Sequence, residues 1–145
     1  MKNGFTLTEL FTIIAVIGIL FLIGFPTFRA YQPTLQLNGA IRELITDLRY
    51  AQQLTVTEQI DHGVYLSTST DSYQIIKYDE TEEILEEKSL PDKVSFLNVS
   101  GFTGDIVRFN PYGAVDEAGE ITLINTKGAT TTIEVRPSGF VKITK

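Results

Sequence analysis

The sequence predicts an α+β fold: a long N-terminal helix, membrane-spanning in its first half and amphipathic in its second, packed on an antiparallel β-sandwich-like domain. Three observations predict it. An uncharged apolar run, 10–25, follows a single carboxylate, Glu9. Apolar residues then recur at helical spacing through Leu37, Ile41, Leu44, Leu48 and Ala51. From Gly63 onward the period shortens toward two, with β-branched and aromatic residues and turn signals at short intervals.

The bulk composition narrows the function classes. With 145 residues the chain holds one ordinary domain plus an anchor. Its net charge of −6 argues against a general binder of nucleic acid or anionic membranes, because phosphate contacts need clustered Lys and Arg. There is no cysteine, so no disulfide framework, thiolate metal site or Cys nucleophile is available. A single His and no Trp leave a thin inventory for catalysis.

The apolar run has the length of a membrane span. Residues 5–25 make about 31 Å of helix, against a hydrocarbon core of about 30 Å. Twelve of the residues from Leu10 to Phe25 are Leu, Ile, Phe or Val. Together they favour insertion by about 4–7 kcal/mol, which outweighs a cost of about 3 kcal/mol for Glu9. Lys2 and the amino terminus put positive charge ahead of the span, so the N-terminus is expected in the cytoplasm, with Arg29 a mild opposing charge. A cleaved secretory signal would carry a shorter apolar region, about 7–15 residues, and a small-residue cleavage site after it. The flank here reads Pro26-Thr27-Phe28-Arg29-Ala30-Tyr31. A plain signal anchor accounts for the apolar run but leaves Glu9 and the short Met1–Gly4 leader without a reason.

Gly4-Phe5-Thr6-Leu7-Thr8-Glu9-Leu10, followed by Ala15-Val16-Ile17-Gly18-Ile19-Leu20 and Pro26, resembles the N-terminus of type IV pilins and type II secretion pseudopilins. Thr8 departs from the aliphatic residue more usual in that family. The resemblance implies a pilin fold and a leader, residues 1–4, removed by a prepilin peptidase between Gly4 and Phe5. It implies N-methylation of the new terminal residue, Phe5, and a role for Glu9 in assembly. The physical logic of Glu9 stands apart from the family. A carboxylate in lipid must be protonated, drawn to the interface or paired, and the amine exposed at Phe5 of a neighbouring subunit would neutralise it.

Residues 5–26 are thus expected to form the transmembrane and filament-core helix, and 27–62 an amphipathic helix with proline kinks. Pro26 and Pro33 remove the hydrogen bonds to the Leu22 and Arg29 carbonyls, softening the helix; Pro33 equally allows one helix to end and another to start. Beyond it Ala40 and Ile45 widen the apolar face, while Arg42, Glu43, Asp47 and Arg49 fall mostly outside it. The helix is expected to end between Gln59 and Gly63.

Residues 63–145 form the β-rich domain. Strands are expected at 64–67, 73–78, 84–89, 94–99, 106–109, 121–125, 130–136 and 140–144, with breakers such as Asn110-Pro111-Tyr112-Gly113, Lys127-Gly128 and Pro137-Ser138-Gly139 between them. Leu48-Arg49-Tyr50-Ala51-Gln52, Phe109-Asn110-Pro111-Tyr112-Gly113 and Val135-Arg136-Pro137-Ser138-Gly139-Phe140-Val141 resemble the GspH/FimT subfamily of minor pseudopilins. That resemblance implies a structural subunit present in small numbers, helping to start or cap a filament.

Other candidate sites have dull readings. His62 is expected as a solvated loop residue after the helix, since no second His or Cys accompanies it. Glu80, Glu82, Glu83, Glu86 and Glu87 lack the spacing of a calcium loop and read as an exposed strand face. Asp116, Glu117 and Glu120 around Gly119 read as a hairpin turn. No catalytic residue, metal site or cofactor is expected, and the chain reads as a structural subunit rather than an enzyme.

The partners implied are other pilin or pseudopilin subunits, the prepilin peptidase, an assembly platform protein with its ATPase, and the membrane. Location follows: single-pass in the inner (cytoplasmic) membrane, then in an extracytoplasmic filament with the β domain outward. The alternative is a DNA-uptake pilin or a pilus-borne binding module. Nucleic acid is not an expected partner, because Lys127, Arg136, Lys142 and Lys145 are scattered cations on an acidic chain.

Overall fold

The structure, a computed structural model, describes residues 5–144. The expected leader Met1–Gly4, with Gly4 of the cleavage site, lies outside the described residues, as does Lys145. The chain divides into two compact units, Met1–Gln32 and Pro33–Lys145. One helix, α1 (Leu7–Glu58), supplies residues to both. Helical assignment continues through Pro26 and Pro33, so the reading in which Pro33 ends one helix and starts another does not hold.

Within the first unit the apolar window of α1 is wholly unburied. Its side chains point outward all round, with Leu22 75 % and Ile23 68 % exposed. A helix apolar on every side requires an apolar cover.

The second unit carries the core. Eight strands follow the helix: β1 (Asp61–Ser67), β2 (Ser72–Tyr78), β3 (Glu82–Ser89), β4 (Val94–Ser100), β5 (Ile106–Phe109), β6 (Gly119–Asn125), β7 (Thr130–Val135) and β8 (Val141–Thr144). They form two antiparallel four-stranded sheets, ordered β3-β2-β1-β5 and β4-β6-β7-β8. Alternation sets which face each strand buries: Val64 and Leu66 in β1, Val107 and Phe109 in β5, Ile121 and Leu123 in β6, Ile133 and Val135 in β7. These residues join Leu37, Ala40, Ile41, Leu44, Ile45, Leu48 and Ala51 of α1 in one continuous cluster. The helical stripe read from the sequence is therefore the face that meets both sheets.

Two expectations are corrected here. His62 is not a solvated loop residue. It lies in β1 with no exposed surface, because that strand starts at Asp61, three residues before the expected Val64. Its backbone N–H donates to the buried Thr55 hydroxyl (3.1 Å), and its Nδ1 lies 2.9 Å from the Ile60 carbonyl. Asp47, expected outside the apolar face, is 6 % exposed. It is held there by partners distant in sequence: the Tyr73 hydroxyl donates to Oδ2 at 2.7 Å, and the Lys88 amine donates to both carboxylate oxygens at 2.9 Å. The trio pins β2 and β3 to the helix. A buried carboxylate is tolerable because its charge is matched and its lone pairs are used.

The trio makes stability depend on pH at the alkaline end. The Tyr73 phenol is pushed up, first by burial and then by its hydrogen bond to the Asp47 carboxylate. The Lys88 amine is also pushed up, mainly by its hydrogen bond to Asp47. Both groups titrate near pH 10 when unfolded, so their contribution is complete below about pH 10 and is lost as pH rises through the raised folded values. Circular-dichroism melts of residues 33–145 should therefore show Tm falling above about pH 10. The fall should be shallower in Tyr73→Phe; an identical profile in that variant contradicts this assignment.

Candidate functional site

The helix N-terminus in the first unit is a built polar site. Thr6 and Glu9 satisfy the T-x-x-E pattern of a capping box. The Thr6 backbone N–H donates to Glu9 Oε2 at 2.8 Å, and the Glu9 N–H donates back to the Thr6 hydroxyl oxygen at 3.3 Å. The Thr6 hydroxyl also donates to Oε2, at 2.7 Å. The helix therefore starts where these two side chains close on each other, and otherwise unpaired N–H groups find acceptors. Among the described residues no hydrogen bond reaches Glu9 Oε1, which leaves an acceptor oxygen on an otherwise apolar stretch. Glu9 was legible in the sequence as the lone acid. Thr6 was not singled out, although its position three residues before a glutamate is the signal that finds it.

Farther along this unit the hydroxyls are satisfied within the helix. Thr12 donates to the Thr8 carbonyl (2.9 Å) and Thr27 to the Ile23 carbonyl (3.0 Å). This removes the cost of a bare hydroxyl in a water-free setting. The Arg29 guanidinium lies 4.5 Å from the Phe25 ring centroid, a cation–π contact just past the apolar run.

In the second unit the three segments that suggested the GspH/FimT subfamily meet at one place. Gln52 of α1 donates its amide N–H to the Gly113 carbonyl at 2.6 Å. The Gly113 turn is closed by its own N–H to the Asn110 carbonyl (2.7 Å) and by the Asn110 side chain, which accepts from Tyr112 and Ala114. The second loop packs directly on it, the Val115 N–H donating to the Pro137 carbonyl (3.1 Å), and is itself closed by the Gly139 N–H donating to the Arg136 carbonyl (2.8 Å). Gly139 has φ +75°, and a Cβ there would collide with the Gly113 carbonyl and the Gln52 amide. What reads as two ordinary turns is one lock, holding the loops before β6 and β8 to the helix.

The remaining candidates lie apart from this contact. His62 Nε2 has no hydrogen-bond partner and lies 3.7 Å from Glu58, whose carboxylate is paired with Lys77 at 2.7 Å. Glu117 does not sit in a hairpin turn. It accepts hydrogen bonds from the backbone and hydroxyl of Thr103, which hold its carboxyl below the usual carboxylate range. Asp116 approaches Arg108, and Glu120 lies in β6. Glu82–Glu87 form the exposed edge strand β3. Among the described residues no group of three His, Cys, Asp or Glu side chains is placed to hold a metal ion.

The lock can be separated from ordinary glycine chemistry by a matched pair. Gly128 also has a left-handed φ, +78°, but a Cβ there meets nothing within 4 Å. Gly128→Ala should cost only the backbone term, about 1–2 kcal/mol. Gly139→Ala should cost clearly more, read as a larger drop in urea midpoint at unchanged m. Equal losses contradict the lock.

A family model described as type II transport protein GspH matches residues 40–139, a span that contains Gln52, Gly113 and Gly139. The fold is similar to that of the minor pseudopilin EpsH from the type 2 secretion system of Vibrio cholerae. That match has a TM-score of 0.65 at 9 % identity, covering 75 % of this chain and 96 % of that one. It is also similar to the type IV minor pilin FimU of Pseudomonas aeruginosa PAO1, with a TM-score of 0.62 at 12 % identity, covering 79 % and 92 %. No curated protein matches the sequence significantly. At these identities the structural likeness speaks for the fold alone, and the family rests on the model match: the chain belongs to the GspH family and is a structural subunit of the pilin and pseudopilin kind.

Proposed function

We propose that this subunit is a minor component of a type II secretion pseudopilus or a type IV pilus, entering the filament after a prepilin peptidase removes Met1–Gly4 and methylates Phe5. In this reading the chain first sits in the inner membrane as a single span with its N-terminus in the cytoplasm. A platform protein, driven by its ATPase, then lifts it into the filament, where Phe5–Phe25 helices pack together. Pro26 and Pro33 act as soft points of the helix during that transfer, since each removes an N–H donor from the ladder.

One observation carries the proposal. A membrane-length apolar helix with no cover of its own begins at a capped carboxylate that keeps a free oxygen. In lipid the capping box lowers the cost of that carboxylate by supplying donors from Thr6. In the filament Oε1 would accept a hydrogen bond from the amine of a neighbouring Phe5, so one contact neutralises two charges. The DNA-uptake alternative gains little support, because Arg136, one of its four candidate cations, is paired with Glu134 at 3.0 Å.

The test is intact mass and assembly together. Protein purified from its native host should lack Met1–Gly4 and carry one added methyl. Glu9→Gln should insert in the membrane normally yet enter sheared filaments at least about tenfold less, the loss expected for one charge-assisted hydrogen bond. Retention of Met1–Gly4 in the functioning form, or normal incorporation of Glu9→Gln, overturns the proposal.

A further inference from the structure

The two clamped loops carry exposed aromatics. Phe140, directly after Gly139, is 54 % exposed, and Tyr112, directly before Gly113, is 95 % exposed. Each turn is closed by its own hydrogen bond, and Gln52 ties the first of them to α1. An aromatic side chain on a fixed loop has little further freedom to lose when it is covered, which suits it to anchor an interface.

Phe140 leads into a groove between α1 and β8, where Ile143 is 43 % exposed and Arg42 and Arg49 stand on the helical side. Both arginines are exposed, and neither forms an ion pair among the described residues. No carboxylate lines this groove or the adjoining hollow beside Gln52 and Ser138, although acids outnumber bases 18 to 12 in the chain. The acids nearest in sequence, Glu43 and Asp47, reach Lys88 of β3 instead. Lys142, at the edge of the groove, stands opposite Glu134 in the β7–β8 ladder, so the unmatched positive charge comes from Arg42 and Arg49. A solvated helix face accounts for two arginines alone. It does not account for the exposed Phe140 and Ile143 beside them.

We infer that this groove seats a subunit of a different kind, which brings a helix with two carboxylates two turns apart and apolar side chains between them. Arg42 and Arg49 lie two turns apart on one side of α1, a spacing of about 10 Å. A helix alongside matches that spacing with acids at i and i+7. An extended strand does not, because residues on its one face repeat at about 7 or 13 Å. Apolar anchors with unpaired guanidinium groups at their margin complement such a partner in both charge and hydrophobicity. Duplex DNA fits less well, since two cations beside apolar side chains follow few phosphates. This inference rests on the minor-subunit reading, in which each copy is flanked by subunits of other kinds, and adds the surface and the chemistry of one contact.

The test is photo-cross-linking of the full chain in its native host, with p-benzoyl-phenylalanine in place of Phe140. Irradiation should give one heteromeric adduct, and the partner's cross-linked peptide should be helical with Asp or Glu two turns apart. Arg42→Glu with Arg49→Glu should lower the adduct about tenfold. Arg42→Lys with Arg49→Lys should keep it, and lysines at the two partner carboxylates should restore it to the Arg42→Glu, Arg49→Glu variant. An adduct between two copies of this chain, one indifferent to charge reversal, or cross-linking to duplex DNA instead of protein overturns the inference. The same cross-linker in place of Ile14 reports the helix core independently. If Ile14 gives adducts with other subunits while Phe140 gives none, the docking groove falls and the subunit reading stands; if neither gives adducts, both fall.

Discussion

The constraint on which the rest depends is the uncovered apolar surface of residues 5–25. Twelve large apolar side chains between Leu10 and Phe25 stand exposed or nearly so. Leaving them in water costs on the order of 20 kcal/mol, more than the net stability of an ordinary domain, about 5–15 kcal/mol. No feature of the β domain can offset that. In the function proposed above, lipid removes the cost before assembly and neighbouring helices remove it afterwards, so one surface would serve as membrane anchor and polymer contact. The polar atoms within and beside it obey the same arithmetic: Thr6 and Glu9 bond each other, and the Thr12 and Thr27 hydroxyls bond their own helix.

The second unit solves a different problem with the same helix. Here one stripe of α1 is apolar, and two four-stranded sheets bury it. Specific polar contacts decide how the sheets and loops are held. Asp47 ties β2 and β3 through Tyr73 and Lys88, and Gln52 ties the Gly113 and Gly139 loops. At that second tie a Cβ on Gly139 would collide with the Gly113 carbonyl and the Gln52 amide, so the position has no room for a side chain. It is the place where the two loops are clamped to the helix.

Much of this was legible in the sequence because it is written in local periodicity. The stripe from Leu37 to Ala51 and all eight strands follow from spacings of 3.6 and two, with ends within about two or three residues for nearly all. The early start of β1 was missed because Asp61-His62-Gly63 reads as a loop, yet Thr55 and Ile60 supply the bonds that bury His62. Asp47 read as solvent-facing because its partners lie 26 and 41 residues away, beyond any local pattern. The Asn110–Gly113 and Pro137–Gly139 turns were each visible, but their meeting at Gln52 depends on the sheets bringing them together. Thr6 was a different kind of miss: its capping pattern is local, and attention to the acid alone passed over it.

The most direct measurement of the central claim is the partition of the full chain against residues 33–145 in native membranes washed with alkaline carbonate. The full chain should remain in the membrane pellet until detergent is added, and residues 33–145 should be folded and soluble. A full-length chain released by carbonate as a soluble monomer would show that the apolar helix finds its cover within its own subunit, and would contradict the anchor and the filament core alike.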